Sequence, residues 1–546
     1  MNKFFKYCLL LAIPAAMSTS CSEDFLDRAP GDALSPATFW KTEADADLAL
    51  TGCYRQLHNP YRLEEMWYWD CASDNQYNFH SHEGWRSIGN GSMAPSGVSV
   101  VNYFTFSDIR TFNEYLKMEN TIEFSSEAKR EQYRAEVRFL RAMKYFWKVM
   151  CYGDFPFTEE VFATLEEAKI PRTSKNQIMD FIKTELKDCI SKLPETNAIG
   201  RATRGAAQAF LTRVYLVTGD YNNVVSTAQA VMTEGKYAMP ELTYEESFLK
   251  ANQYNSEVIF TFEHNKSGGY DMWIAPYLAN SYGGWSSIVP THSLVEAYET
   301  KNGLTTDEDP TFDPANPYVN RDPRLRATIL YPGQAYDMHA KKGFNSLTEM
   351  YVNDQGKEDK NPDYATNANN ATHTGYNFKK FYSDLSEYAS VWGDDRNFPL
   401  FRYAEVLLSY AEAKIELGQI DASVYDAINQ VRKRAGMPNV DEAKYSTADK
   451  LRELVRRERR VEFAYEGLRR WDIIRWGIAK DVMNESVVRP VGTVLTSKNA
   501  EGDFDVNITG TTLEEERVFI VGKHELLPVP QGIIDANPDI TQNPGY

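Results

Sequence analysis

Apolar residues recur every three or four positions along much of this chain, the spacing that lines one face of an α-helix. Ala135, Phe139, Ala142, Phe146 and Val149 form one such stripe, and Ile178, Ile182, Leu186, Cys189 and Leu193 form another. Between 204 and 232 the stripe Ala206, Phe210, Val214 and Val217 stops at Gly219-Asp220, and a second one, Val224, Ala228, Val231 and Met232, follows it. Two amphipathic helices joined at a glycine break predict a helical hairpin. The design returns at 402 to 435, where Val406, Tyr410, Ala413 and Leu417 precede Gly418, and Val424, Ile428, Val431 and Ala435 follow it.

Both hairpins have the small-residue and Tyr-Leu-Gly character of tetratricopeptide repeats, whose period is about 34 residues. Their two glycines are 199 positions apart, so the repeats are interrupted. The sequence predicts a mainly α fold in which a helical scaffold, at about 38–235 and 400–480, carries a loop-rich insertion at about 236–400 and a C-terminal segment at 481–546. Within the insertion, Val258-Ile259-Phe260-Thr261-Phe262 reads as a short strand, and SGG (267–269), YGG (282–284) and the prolines at 310, 314 and 317 mark loops. Long loops on a rigid scaffold are where binding residues concentrate.

The amino terminus changes the picture from a scaffold to an exported one. Lys3 and Lys6 precede the apolar run Cys8 to Met17, and small polar residues lead to Cys21. That order is a secretory signal, residues 1–20, too short to span a bilayer that needs about 20 apolar residues. Cys21 at its end fits lipoprotein processing, in which its thiol takes the lipid; ordinary cleavage is the alternative. Residues 22–37, with Pro30, Gly31 and Pro36 among acids, read as a tether. Signal removal takes two lysines and no acid from a net charge of −18, leaving −20, which speaks against nucleic acid as a partner. The arginines between 452 and 475 alternate with glutamates at 453, 458, 462 and 466, a pattern of internal ion pairing. Four further cysteines, Cys53, Cys71, Cys151 and Cys189, are too few for a disulfide scaffold, and a Cys53–Cys71 bridge stays open.

A search for catalytic patterns yields none: no HExxH, paired CxxC, GxSxG or phosphate-binding glycine loop occurs. His80 and His82 lack further metal ligands in sequence. Asp307, Glu308, Asp309 and Asp313 could offer oxygens to a structural Ca²⁺, although a solvated acidic loop is the commoner meaning of such a run. The chain has 33 Tyr, 28 Phe and 10 Trp, more than a helical core of this size calls for. Sugar rings stack their C–H faces on Trp and Tyr. Two loops concentrate such rings: Trp67, Tyr68, Trp69, Tyr77 and Trp85 in 65–86, and Tyr270, Trp273, Tyr277, Tyr282 and Trp285 in 268–285. Taken as clusters they are the candidate ligand-binding surfaces, although each ring singly is more often core.

Seven motifs in order carry a resemblance: CSEDFLDRAP (21–30), AEVRFLRAMKYFWKVMCYGDFPF (135–157), GRATRGAAQAFLTRVYLVTGDY (200–221), RDPRL (321–325), FRYAEVLLSYAEA (401–413), RRERRVEFAYEGLRRWDIIRWG (456–477) and LLPVPQGIIDANPDITQNPGY (526–546). With them the chain resembles the SusD/RagB family of outer-membrane lipoproteins of the Bacteroidetes. The resemblance implies four tetratricopeptide-like helix pairs and a non-catalytic, surface-exposed protein of the outer membrane. Such a protein captures oligosaccharide and passes it to a TonB-dependent transporter of the SusC type. Glu23 and Asp24 are similar to the family's surface-export signal. In the 451–471 stretch Glu458 and Glu462 are expected to pair with arginines inside the fold. Capture of peptides for the same kind of transporter is the alternative, and a secreted glycoside hydrolase built on an acid pair the remoter one.

Overall fold

The computed structural model describes residues 39–58, 66–97, 103–269, 271–353, 355–382, 384–387 and 390–546. The proposed signal, Cys21 and the tether lie outside the described residues. Helices α1 (Glu43–Arg55) and α2 (Ser107–Met118) come first, and the predicted stripes then become α3 (Glu127–Tyr152), α4 (Lys175–Lys192), α5 (Arg204–Val217) and α6 (Tyr221–Glu234). After the insertion, which contains the one-turn α7 (Pro323–Thr328), come α8 (Tyr403–Glu416), α9 (Ala422–Arg434), α10 (Ala448–Glu462) and α11 (Arg469–Arg475). Hydroxyl or carboxylate side chains start most of them. Thr42, Ser126, Ser174, Thr203, Asp421 and Thr447 each accept a backbone N–H of the first turn, which an ordinary chain leaves without a partner.

Each helix packs on its neighbour in the order α1, α3, α4, α5, α6, α8, and α8 then holds both α9 and α10. The stripes face inward: Ala135, Phe139, Ala142, Phe146 and Val149 are buried, as are Val406, Tyr410, Val424 and Ile428. Both predicted hairpins form, α5/α6 around Gly219 and α8/α9 around Gly418. No described helix is long and apolar enough to cross a membrane.

The insertion has no large sheet among its described residues, only two-stranded pieces. The predicted strand forms as β1 (Val258–Phe262) and pairs antiparallel with β2 (Phe398–Arg402), so the first and last parts of the insertion close against each other on α5. One element is not announced by the sequence pattern. A long antiparallel ribbon, β3 (Val487–Lys498) with β4 (Phe504–Glu515), stands in the C-terminal segment with most of its residues partly or fully exposed. Pro490, Gly492 and Gly510 interrupt its alternation, which hides the period of two.

The basic concentration at 452–475 pairs internally, as its alternation predicts, but mostly with groups from other elements. Glu462 lies within 3.1 Å of both Arg324 on α7 and Arg402 at the end of β2, and also touches Arg434 at the end of α9. Glu458 takes Arg324 at 2.6 Å and Arg432 at 2.9 Å. Arg402 and Arg434 continue to Glu257, and Arg402 and Lys380 to Glu466. All these groups are buried. Three of the seven motifs, RDPRL, FRYAE and RRERRVEF, thus meet in one buried ionic network, while Arg321 of RDPRL donates to the carbonyls of Val295, Tyr298 and Pro317. Each charge here is compensated, which burial demands.

Cys53, Cys71, Cys151 and Cys189 are free thiols, all buried, so the Cys53–Cys71 bridge is not formed. The acidic loop also resolves into ordinary hydrogen bonding. Asp309 accepts from Thr300, Thr311 and Asn302, Glu308 pairs with Lys444, and Asp313 accepts from the Ala315 N–H. Among the described residues no cluster of three or more His, Cys, Asp or Glu side chains forms a metal site.

Candidate functional site: a tryptophan corner on the insertion

The first of the two aromatic loops is core. Trp67, Tyr68, Trp69, Tyr77 and Trp85 are all between 0 and 3% exposed, and Tyr277 of the second loop is fully buried, so none of the six can form a surface platform. The reason is tertiary. Residues Met66–Ala72 coil into a 3₁₀ segment that the rest of the protein encloses. Asp70 anchors it by accepting the N–H groups of Tyr465 (3.0 Å) and Arg469 (3.2 Å), nearly 400 positions away. The rings then pack on one another: Trp69 on Trp85 and Trp471 with centroids 4.9 and 5.0 Å apart, Tyr68 stacked on Trp85, and Trp67 against Phe398 and Tyr277. Tyr77 closes a small cluster with Val289 and Val487. Tyr282 is half-buried, its hydroxyl donating to the Tyr336 carbonyl, and Tyr270 lies outside the described residues.

Burial pushes the Asp70 carboxyl up to about 7, against the backbone N–H groups that pull it down. A carboxyl whose folded value lies above its ordinary 3.8 keeps its proton in the folded state over the pH range where the unfolded chain has lost it. Folding stability from this group therefore falls as pH rises from about 4 to 7, by up to roughly 1.4 kcal/mol per pH unit. Asp70→Asn removes this slope. Urea unfolding of wild type and variant at pH 4, 5.5 and 7 should show the variant losing less stability over that range; parallel curves would rule the assignment out.

Two of the predicted rings do reach the surface, and a third that the sequence reading missed joins them. Trp273 is 49% and Trp392 52% exposed, with Trp285 half-buried beside both. Their ring centroids lie 5.5 Å (Trp285–Trp392), 5.9 Å (Trp273–Trp392) and 6.3 Å (Trp273–Trp285) apart. Backbone pairing brings them together from positions 119 apart in sequence. Met272 and Asp394 exchange both hydrogen bonds of an antiparallel bridge, at 2.8 and 2.9 Å, and the N–H groups of Ile274 and Ala275 both reach the Val391 carbonyl at 3.1 Å. The Trp285 N–H donates to the Ala275 carbonyl at 2.6 Å. At Gly393 the end of the exposed Asp271 carboxylate lies beside the backbone, in the space a Cβ would take. His80 sits beside the corner, a ring nitrogen 3.3 Å from the Trp285 carbonyl, and its ring lies 5.5 Å from that of exposed His82. Asp271 is exposed at the rim, and Asp395 pairs with Lys250.

The corner offers what a sugar needs: apolar ring faces in water, with carboxylate and imidazole groups at their edge. A concave feature elsewhere is different in kind. A groove of about 1060 Å³ runs between the 239–246 loop, α7 and the end of α9, lined by Glu241, Glu246, Lys301, Arg326 and Lys433 among others. Its tyrosines, Tyr244, Tyr318 and Tyr331, are buried, so it presents charges in place of ring faces.

Comparison with known proteins agrees with the motif order. The profile of the SusD family matches residues 256–546, and a second profile, described as starch-binding associating with outer membrane, matches residues 24–216. SusD-like protein P38 of Formosa agariphila is 24% identical over 510 residues, covering 88% of this chain and 94% of that protein. Starch-binding protein SusD of Bacteroides thetaiotaomicron is 24% identical over 469 residues, covering 80% of this chain and 77% of that protein. The crystal structure of a SusD-like carbohydrate binding protein from Bacteroides fragilis superposes with a TM-score of 0.79 at 30% identity, covering 92% of this chain and all of the other. By its motifs, its mainly helical fold and these matches, the chain belongs to the SusD family.

Proposed function

We propose that this protein captures an oligo- or polysaccharide at the outer face of the outer membrane, anchored by a lipid on Cys21, and delivers it without cleaving it to a SusC-like TonB-dependent transporter. The observation that carries the reading is the corner of Trp273, Trp285 and Trp392: two half-exposed indoles and a third against both, brought together by backbone pairing, on a chain whose other aromatic-rich loop is buried. Exposed indoles are costly to leave in water and gain most from a partner with flat apolar faces. All three lie within 236–400, so the scaffold holds the insertion and the insertion holds the ligand. The family's profile description and the carbohydrate-binding relative from Bacteroides fragilis support the same class of ligand.

The test is affinity electrophoresis of residues 22–546 through gels containing single polysaccharides. Retardation by at least one glycan is expected, with no release of reducing ends, and Trp392→Ala should weaken binding by about tenfold or more, as loss of a central aromatic anchor does. Retardation that survives Trp392→Ala unchanged would place the ligand elsewhere.

A further inference from the structure

We infer that the tryptophan corner selects a glycan whose consecutive sugar rings turn against one another, and discriminates against flat, ribbon-like chains. The inference rests on the glycan-capture reading and concerns the shape of the ligand. Stacking requires a sugar ring to lie parallel to the indole beneath it. The two most exposed indoles, Trp273 and Trp392, meet at 88° with centroids 5.9 Å apart. Trp285 also stands at 88° to Trp273 and at 64° to Trp392. No two of the three rings are coplanar, so they form a corner and not a platform.

In an equatorially β-1,4-linked chain the mean planes of neighbouring rings lie close to one ribbon. A unit stacked on Trp273 would carry its neighbour edge-on to Trp392, and the second stack would be lost. In α-1,4-, β-1,3- or α-1,6-linked chains, the glycosidic bonds set successive rings at an angle, so adjacent units can lie on both indoles.

The backbone sets where the three side chains start: Trp273 and Trp392 flank the Met272–Asp394 bridge, and the Trp285 N–H is held by the Ala275 carbonyl. The rings then hold their angles by edge contact with one another, and turning them toward one plane would part those edges. A preformed site of fixed shape discriminates by what its ligand must deform to fit.

The experiment is isothermal titration of residues 22–546 with neutral probes of two shapes: maltohexaose, laminarihexaose, α-1,6-mannan and levan as turning chains, and cellohexaose and mannohexaose as ribbons. At least one turning probe should bind about tenfold or more tighter than every ribbon, and Trp273→Ala and Trp392→Ala should each remove that margin. A ribbon bound equally or more tightly, and lost in Trp392→Ala, overturns the shape inference and leaves capture standing. Binding untouched by either variant overturns the shape inference and places the ligand elsewhere, and binding by no probe in the set overturns both.

Discussion

Replacing Glu462 by Ala should lower the unfolding free energy by about 3–5 kcal/mol at pH 7, because it strips a shared carboxylate from three buried guanidinium groups at once. Arg324, Arg402 and Arg434 converge on Glu462 from α7, β2 and α9, and all three are buried. Burial by itself would raise the Glu462 carboxyl, but the charges of Arg434, Arg402 and Arg324 outweigh it and hold the group well below its ordinary 4.5. A folded value depressed in this way means stability that is fully present above about pH 4.5 and is lost as pH falls towards the folded value. Urea unfolding across pH 3–7 checks both parts: the variant should be much weaker at pH 7 and should show a flatter acid limb. A loss under 1 kcal/mol would mean that the arginines find other partners.

Gly467→Ala should be nearly as damaging, by about 3 kcal/mol or more. Gly467 stands at φ +74°, a conformation that disfavours any side chain, and a Cβ there would collide with the carbonyl of Met66. The carbonyl cannot retreat without moving Met66–Ala72, the segment that carries Trp67 and Trp69 into the core and is pinned by Asp70. Thermal unfolding followed by near-ultraviolet circular dichroism is the measurement, since the packed indoles dominate that signal. A native spectrum with an unchanged midpoint would show that the contact yields freely.

Much of this architecture could be read from the chain. Helices α3 to α6, α8 and α9, both hairpin breaks and strand β1 follow from apolar spacing, because each buries a face fixed by its own local period. The pairing of Glu458 and Glu462 with arginines followed from two acids on an otherwise apolar stripe. The candidate site was legible only in part. Trp67, Tyr68, Trp69, Tyr77 and Trp85 share the composition of a binding loop, but their burial is decided by Asp70 meeting the Tyr465 and Arg469 amides, a contact that composition and spacing do not encode. Trp392 was missed because it stands alone in SVWGDD (390–395), and only the bridge to Met272 gives it companions. A tryptophan beside a glycine in a polar loop was the available signal. The ribbon β3/β4 escaped notice because prolines and glycines break its alternation.

The four free thiols carry a consequence for how such a protein is made. Cys53, Cys71, Cys151 and Cys189 are sealed in the interior, and burial raises each thiol, that of Cys189 up to about 12, far from the thiolate form that oxidants attack. No covalent bond between these cysteines has to form for the native state to be reached, so a reducing and an oxidising compartment offer the chain the same destination. The hazard lies before that point: for a protein proposed to work outside the cell, enclosing these sulfurs has to outpace the disulfide-forming machinery it meets on the way.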